Sequence, residues 1–96
     1  MKLREAARGC ECQVRLAGIC NHDPETTVLA HFRLAGLSGT ALKPVDVCGA
    51  HACSACHDAI DRRSHRELEY DFVRLAHAEG VVRTLNLLVK QGLLKW

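Results

Sequence analysis

The chain has 96 residues, 48% of them hydrophobic and 25% charged; these are the proportions of one small globular domain, and they exclude a multidomain enzyme and a disordered or low-complexity chain. Thirteen basic residues against eleven acidic ones leave a formal charge of +2, short of the balance of a protein that coats nucleic acid by net charge, so such binding would fall to local patches: Arg62, Arg63 and Arg66, or Arg4, Arg8 and Arg15. Phe32, Tyr70, Phe72 and Trp96 are the only large rings. A core with so few of them must offset roughly 1.5 kcal/mol of ordering entropy per residue from little buried area, which calls for an added staple.

Six cysteines are the material for that staple. Met1 to Gly9 is charged and helix-friendly without the apolar run of an export signal, and no stretch of about 18 apolar residues is present to span a bilayer. The expected location is therefore cytoplasmic, where clustered cysteines hold metal or do redox chemistry more often than they form disulfides.

In chain order, residues 1 to 23 carry three cysteines among Gly9, Gly18, Asn21 and Asp23, which predicts a compact loop or ribbon. Thr26 to Phe32 has the β-branched start and short apolar run of a strand, with His31 near its far end. Gly36 to Pro44 has loop composition, and a second strand over about Val45 to Ala50 would close a wide hairpin. Ser54 to Arg63 lacks glycine and proline and reads as a helix, its arginines placed to suit the dipole. Glu67 to Gln91 reads as a longer helix whose core stripe is Leu68, Phe72, Leu75, Val82, Leu85 and Val89, with Gly80 expected to weaken or kink it. No repeat or linker divides residues 1–96, so hairpin, short helix and long helix should pack as one α+β unit.

Cys53 and Cys56 form a CxxC at the start of the short helix, where exposed N–H groups and the dipole favour thiolates. A structural zinc site takes four ligands in a tetrahedron, and CxxC supplies two of them on one turn. Cys12 and Cys20 are the first choice for the other pair, with Cys10 and Cys48 as substitutes. A redox CxxC would need a βαβ context that the pattern lacks, and plain buried thiols are the remaining reading. His57 and Asp61, four apart, project from one helical face; imidazole with carboxylate suits a second, harder metal or an ordinary helix pair. By spacing alone, one histidine at a strand end, such as His31, is more often structural than catalytic.

Taken together, Cys-Gln-Val-Arg at 12–15, Cys20-Asn21, Ala-His-Phe-Arg at 30–33 and Cys-Ser-Ala-Cys-His-Asp-Ala-Ile-Asp-Arg at 53–62 resemble the YbcO-like nuclease family of lambdoid phages and prophages, over nearly the whole chain. That family is similar to HNH, or His-Me finger, endonucleases. The resemblance implies a ββα core in which hairpin and helix clasp a catalytic metal, an N-terminal cysteine ribbon, and a C-terminal long helix. It carries over Cys12, Cys20, Cys53 and Cys56 as ligands of a structural Zn2+, His31 as general base and His57 as ligand of a catalytic divalent cation such as Mg2+ or Mn2+.

Two positions depart from the broader HNH pattern. Ala30 stands where an acidic metal ligand often precedes the base, and Cys48 stands five positions before Cys53, where an asparagine usually orients the loop. Asp61 is the substitute ligand and Asp46 a brace for the hairpin. The implied activity is hydrolysis of nucleic-acid phosphodiester bonds, DNA first among them, leaving 5′-phosphate and 3′-hydroxyl ends, with Arg33, Arg62 and Arg63 gripping phosphates. The competing expectation is a non-catalytic zinc module that binds nucleic acid or a phage protein.

Overall fold

The computed structural model describes residues 3–34 and 46–94; the predicted Gly36–Pro44 loop, the predicted strand start at Val45 and the Trp96 ring lie outside them. The described elements are helix α1 (Leu3–Ala7), strand β1 (Val28–His31), strand β2 (Gly49–Ala52), helix α2 (Ser54–Ile60) and helix α3 (Tyr70–Lys90), with single 3-10 turns at Pro24–Thr26 and Asp46–Cys48. The architecture is α+β.

The predicted hairpin pairing forms, displaced toward the helices. β1 and β2 are antiparallel in the register Val28↔Ala52, Leu29↔His51, Ala30↔Ala50 and His31↔Gly49, and Phe32 N–H donates to the Cys48 carbonyl at 2.9 Å just beyond the ladder. The expected start of the second strand is partly occupied by the Asp46–Cys48 turn instead. β2 reads Gly-Ala-His-Ala and is buried at every position; Ala50 and Ala52 let other segments approach one face of the sheet closely, while the buried His51 ring fills the other beside Gly49.

The N-terminal segment is not a ribbon. It is α1 followed by an irregular loop, because Gly9, Arg15, Gly18 and His22 all adopt positive φ, and backbone in that region breaks strand pairing every few residues. The loop is nevertheless fixed: Gln13 N–H donates to the His51 carbonyl at 2.7 Å and Gly9 N–H to the Pro24 carbonyl at 3.2 Å. Its Cys12, Val14 and Leu16 join Ala30, Ala50, Ala52, Cys53, Cys56 and Ala59 in the main core; Leu3, Ala7, Leu29 and Leu88 form a second one. None of the described aromatic rings fills either core: Tyr70 and Phe72 are exposed.

α3 presents a different face from the one its apolar residues predict. Val73, His77, Gly80, Thr84 and Leu88 are buried, whereas Phe72, Leu75 and Val82 are exposed. Gly80 decides this. A Cβ there would lie 2.9 Å from Val14 Cγ2, 3.2 Å from Val14 Cα and 3.3 Å from Ala50 Cβ, so the bare glycine lets the helix backbone rest on the loop and sheet. Gly80 causes no break, and α3 runs unbroken for 21 residues. Thr84 Oγ1 accepts from the His51 N–H at 2.9 Å, locking the same face to β2.

Candidate functional site

α2 joins two groups of reactive side chains. At its N-terminus Cys53 is the cap, its sulfur accepting from Cys56 N–H at 3.4 Å. Cys12 and Cys20 arrive from the N-terminal loop, and the four sulfurs lie within 4.8 Å of one another. Cys53 and Cys20 are 3.8 Å apart, close to the edge of about 3.8 Å that a tetrahedron of 2.3 Å metal–sulfur bonds requires. Arg15 N–H points at Cys12 Sγ at 3.4 Å, so backbone N–H groups serve sulfurs from both segments. The donor set fits a metal ion.

The thiols are unequal before any ion arrives. A hydrogen bond with Cys56 holds Cys12 down to about 4, and burial lifts Cys20 to about 11; the same bond to Cys12 pushes Cys56 upward. The remaining two cysteines stand apart from the cluster. Cys10 Sγ donates to the Ala6 carbonyl at 3.0 Å, and Cys48 lies in the turn before β2. Behind the cluster His51 is fully buried, with both ring nitrogens unpartnered, and burial lowers its pKa.

One turn further along α2 lies a cleft of about 120 Å³, lined by His31, Arg33, Ile60, Asp61, Arg62, Tyr70, Val73, Arg74 and His77. His31 comes from the end of β1, and its Nε2 is 2.8 Å from Asp46 Oδ1. That bond holds the Asp46 carboxyl below its usual range, helped by Arg4, whose Nε is 3.2 Å from the same oxygen. Asp61 faces the cleft from the C-terminal end of α2 and takes His57 Nε2 at 3.2 Å on Oδ2. The fold thus brings His31 and Asp61 to one cleft; His57 is not among its lining residues and is tied to it through Asp61. Ala30 is not part of it: its side chain is in the core, so no acidic ligand precedes His31.

The three arginines named from sequence have different fates. Arg33 lines the cleft. Arg63 bonds Asp58 at 2.9 Å and Asp61 at 3.1 Å, which raises its own pKa. Arg62 adopts φ 61 where α2 ends: Arg62 N–H donates to the Ala59 carbonyl and Arg63 N–H to the Asp58 carbonyl, the paired bonds of a Schellman motif built without glycine. Its Nη2 donates to the Arg66 and Leu68 carbonyls, both at 2.9 Å, leaving Nη1 buried and unpartnered.

Two cleft residues escaped the sequence reading. His77 Nε2 donates to the Ala30 carbonyl at 2.8 Å, so α3 grips the residue just before His31; burial lowers its pKa. Phe32 packs edge-on against His77 at 5.1 Å, and the Arg74 guanidinium lies 4.4 Å above the Phe32 ring while donating to the Arg33 carbonyl at 3.2 Å. The period Val73, His77, Gly80, Thr84, Leu88 was the signal, hidden because its members are small or polar.

A small α+β domain with a four-cysteine cluster able to hold a metal ion at the start of a helix and a histidine–carboxylate cleft at its other end is the class these features define. The chain belongs to the family described as "Putative nuclease YbcO", whose model matches residues 1–93. It is 53% identical over 93 residues to "Putative nuclease YbcO" of Escherichia coli (strain K12) and to "Putative nuclease ybcO" of Enterobacteria phage 82, covering 97% of this chain and 96% of each relative. A solved structure of a "putative bacteriophage protein" from Escherichia coli K-12 MG1655 superposes with a TM-score of 0.80 at 46% identity, covering 95% of this chain and all of that one. Among the described residues, no helix is long and apolar enough to cross a membrane.

Proposed function

We propose that this protein is an HNH-type, metal-dependent endonuclease that hydrolyses phosphodiester bonds, with DNA as its substrate. The observation that carries the reading is the shared cleft: His31 and Asp61 line it together, and His57 is bonded to Asp61. Family membership supports the substrate class.

Cys12, Cys20, Cys53 and Cys56 would hold a structural Zn2+, the ion that four clustered thiolates favour. Filling the site costs the protons of Cys20 and Cys56, whose pKa values the apo cluster raises, so loading strengthens with pH. His57 and Asp61 would hold the catalytic ion. A divalent cation such as Mg2+ or Mn2+ supplies Lewis-acid stabilisation of charge at the scissile phosphate when bound there.

The chain's own residues supply proton transfer and positioning. Asp46 accepting from His31 Nε2–H fixes the tautomer and leaves Nδ1 free to take a proton from the attacking water. His77 keeps that strand end in place through the Ala30 carbonyl. Arg33 at the cleft wall is a phosphate contact; Arg62 and Arg63 contribute beside it, Arg63 by exchanging its carboxylate partners for phosphate.

The test is a plasmid-nicking assay with zinc-loaded protein, depleted of other metals and resupplied with Mg2+ or Mn2+. Wild-type protein should nick, and His31→Ala and His57→Ala should each lower the rate by at least about 100-fold, with zinc content and melting temperature held. Nicking that survives His31→Ala removes the general-base assignment. DNA binding without nicking by any of the proteins would favour the non-catalytic module, the reading to which Ala30 and Cys48 lend weight.

A further inference from the structure

One oxygen of Asp46 serves two donors from different parts of the fold. His31 Nε2, at the end of β1, lies 2.8 Å from Asp46 Oδ1, and Arg4 Nε, on α1, lies 3.2 Å from the same atom. Apolar packing brings the three together. Leu3, the residue before Arg4, is buried in the second core with Leu29, and Val47, the residue after Asp46, packs against that core. Leu29 stands two residues before His31 and so shares its face of the sheet. Gly49, paired with His31 in the ladder, makes room for this meeting: a Cβ there would lie 2.6 Å from Leu29 Cγ and 3.3 Å from the Asp46 carbonyl oxygen. The second core thus contains or touches a near neighbour of each of Arg4, Asp46 and His31.

We propose that Arg4 is a positioning residue for the general base, holding the Asp46 carboxylate so that its Oδ1 stays on His31 Nε2–H. The inference rests on the general-base assignment of His31 made above. The Asp46 side chain is 25% exposed, and with His31 as its sole donor the carboxylate is free to turn toward water. A charged second donor on the same oxygen opposes that rotation, because turning away breaks both bonds at once. Arg4 does this from behind the base. Among the described residues, the cleft is lined by His31 and Arg33 but by neither Arg4 nor Asp46, which separates Arg4 from a phosphate contact. With its side chain 67% exposed, Arg4 should have an effect of a few-fold, since solvent screens such a pair.

The test uses the full, zinc-loaded chain at about pH 8, where an unperturbed imidazole is neutral. In proton NMR, exchange of the His31 Nε2–H with water should be at least about twofold faster in Arg4→Ala and close to the wild-type rate in Arg4→Lys, which keeps a charged donor. In plasmid nicking with Mg2+, Arg4→Ala should lower kcat about two- to fivefold with KM unchanged, and Arg4→Lys should recover the loss. Asp46→Ala should cost more, and adding Arg4→Ala to it should cost nothing further, because the arginine acts only through that carboxylate. Circular dichroism and zinc content should be the same for all. An Arg4→Ala protein with wild-type exchange and wild-type kcat overturns the proposal. A loss that appears in KM, or that adds in full to the loss from Asp46→Ala, also overturns it and makes Arg4 a phosphate contact. If the wild type does not nick, the nuclease reading fails and takes the positioning role with it, whereas the exchange rates still decide whether Arg4 holds the His31–Asp46 bond.

Discussion

The cysteine cluster and the histidine cleft share the seven-residue helix α2, yet they are built on opposite terms. Cys12, Cys53 and Cys56 are buried within the main core, so the cluster is where two sequence-distant segments become one structure. His57 and Asp61 are about one-third exposed, and their bonds are ion pairs that solvent and salt weaken. One pole holds the fold together; the other keeps its polar groups within reach of a ligand. A change at the first should therefore cost stability, and a change at the second should cost activity with little effect on folding.

The strongest way to break that contrast is Cys56→Ser. Structural zinc contributes an apparent ~10 to 16 kcal/mol in small domains, as much as the ~5 to 15 kcal/mol net stability of a whole protein. The variant should lose its metal and its cooperative thermal transition together. A Cys56→Ser protein that melts within a few degrees of wild type would show that the cluster is not the staple.

His77 sits between the poles and sharpens the comparison. His77→Leu strips the Ala30 carbonyl of its donor in a buried setting and should cost about 1 to 3 kcal/mol in chemical denaturation. Burial holds His77 and His51 below the ordinary 6.5, so the folded state binds fewer protons at these rings than the unfolded chain does. Their contribution is complete above about pH 6.5 and is lost as pH falls through the folded values. Wild-type stability should decline from about pH 7 to about pH 5.5, and His77→Leu should decline less steeply; parallel curves for the two proteins would remove His77 from the account.

The smallest effect is expected at Gly80. Alanine gains about 1 kcal/mol of helix propensity, but its Cβ would meet Val14 Cγ2 at 2.9 Å and the Val14 backbone at 3.2 Å, an overpacking cost of about 1 to 3 kcal/mol. The close contact should win, lowering the melting temperature by a few degrees. A stabilised Gly80→Ala would mean that the loop yields freely.

The hairpin, the short helix and the Cys53–Cys56 pair were legible for a common reason: each rests on local spacing. CxxC places two sulfurs on one turn wherever it opens a helix, and a β-branched run reads as a strand in most settings. The apolar pattern of α3 misled because its exposed face carries more large hydrophobic residues than its buried one. Residues 1–23 read as loop or ribbon, and composition does not choose between them because the positive φ of Arg15 and His22 leaves no mark in residue type, unlike a glycine.

The order of the elements, the Cys53–Cys56 pair and the His57–Asp61 pair were thus written in the sequence by itself, since residue spacing and helical or extended periodicity act over a few residues; that Cys12 and Cys20 rather than Cys10 and Cys48 join the first pair is a matter of the fold. Which face of α3 turns inward, that His77 holds the Ala30 carbonyl, and that His31 meets Asp61 across one cleft were decided only in the tertiary structure. Those outcomes depend on how closely Gly80 lets a helix lie on Val14 and Ala50, a steric fact between residues far apart in the chain.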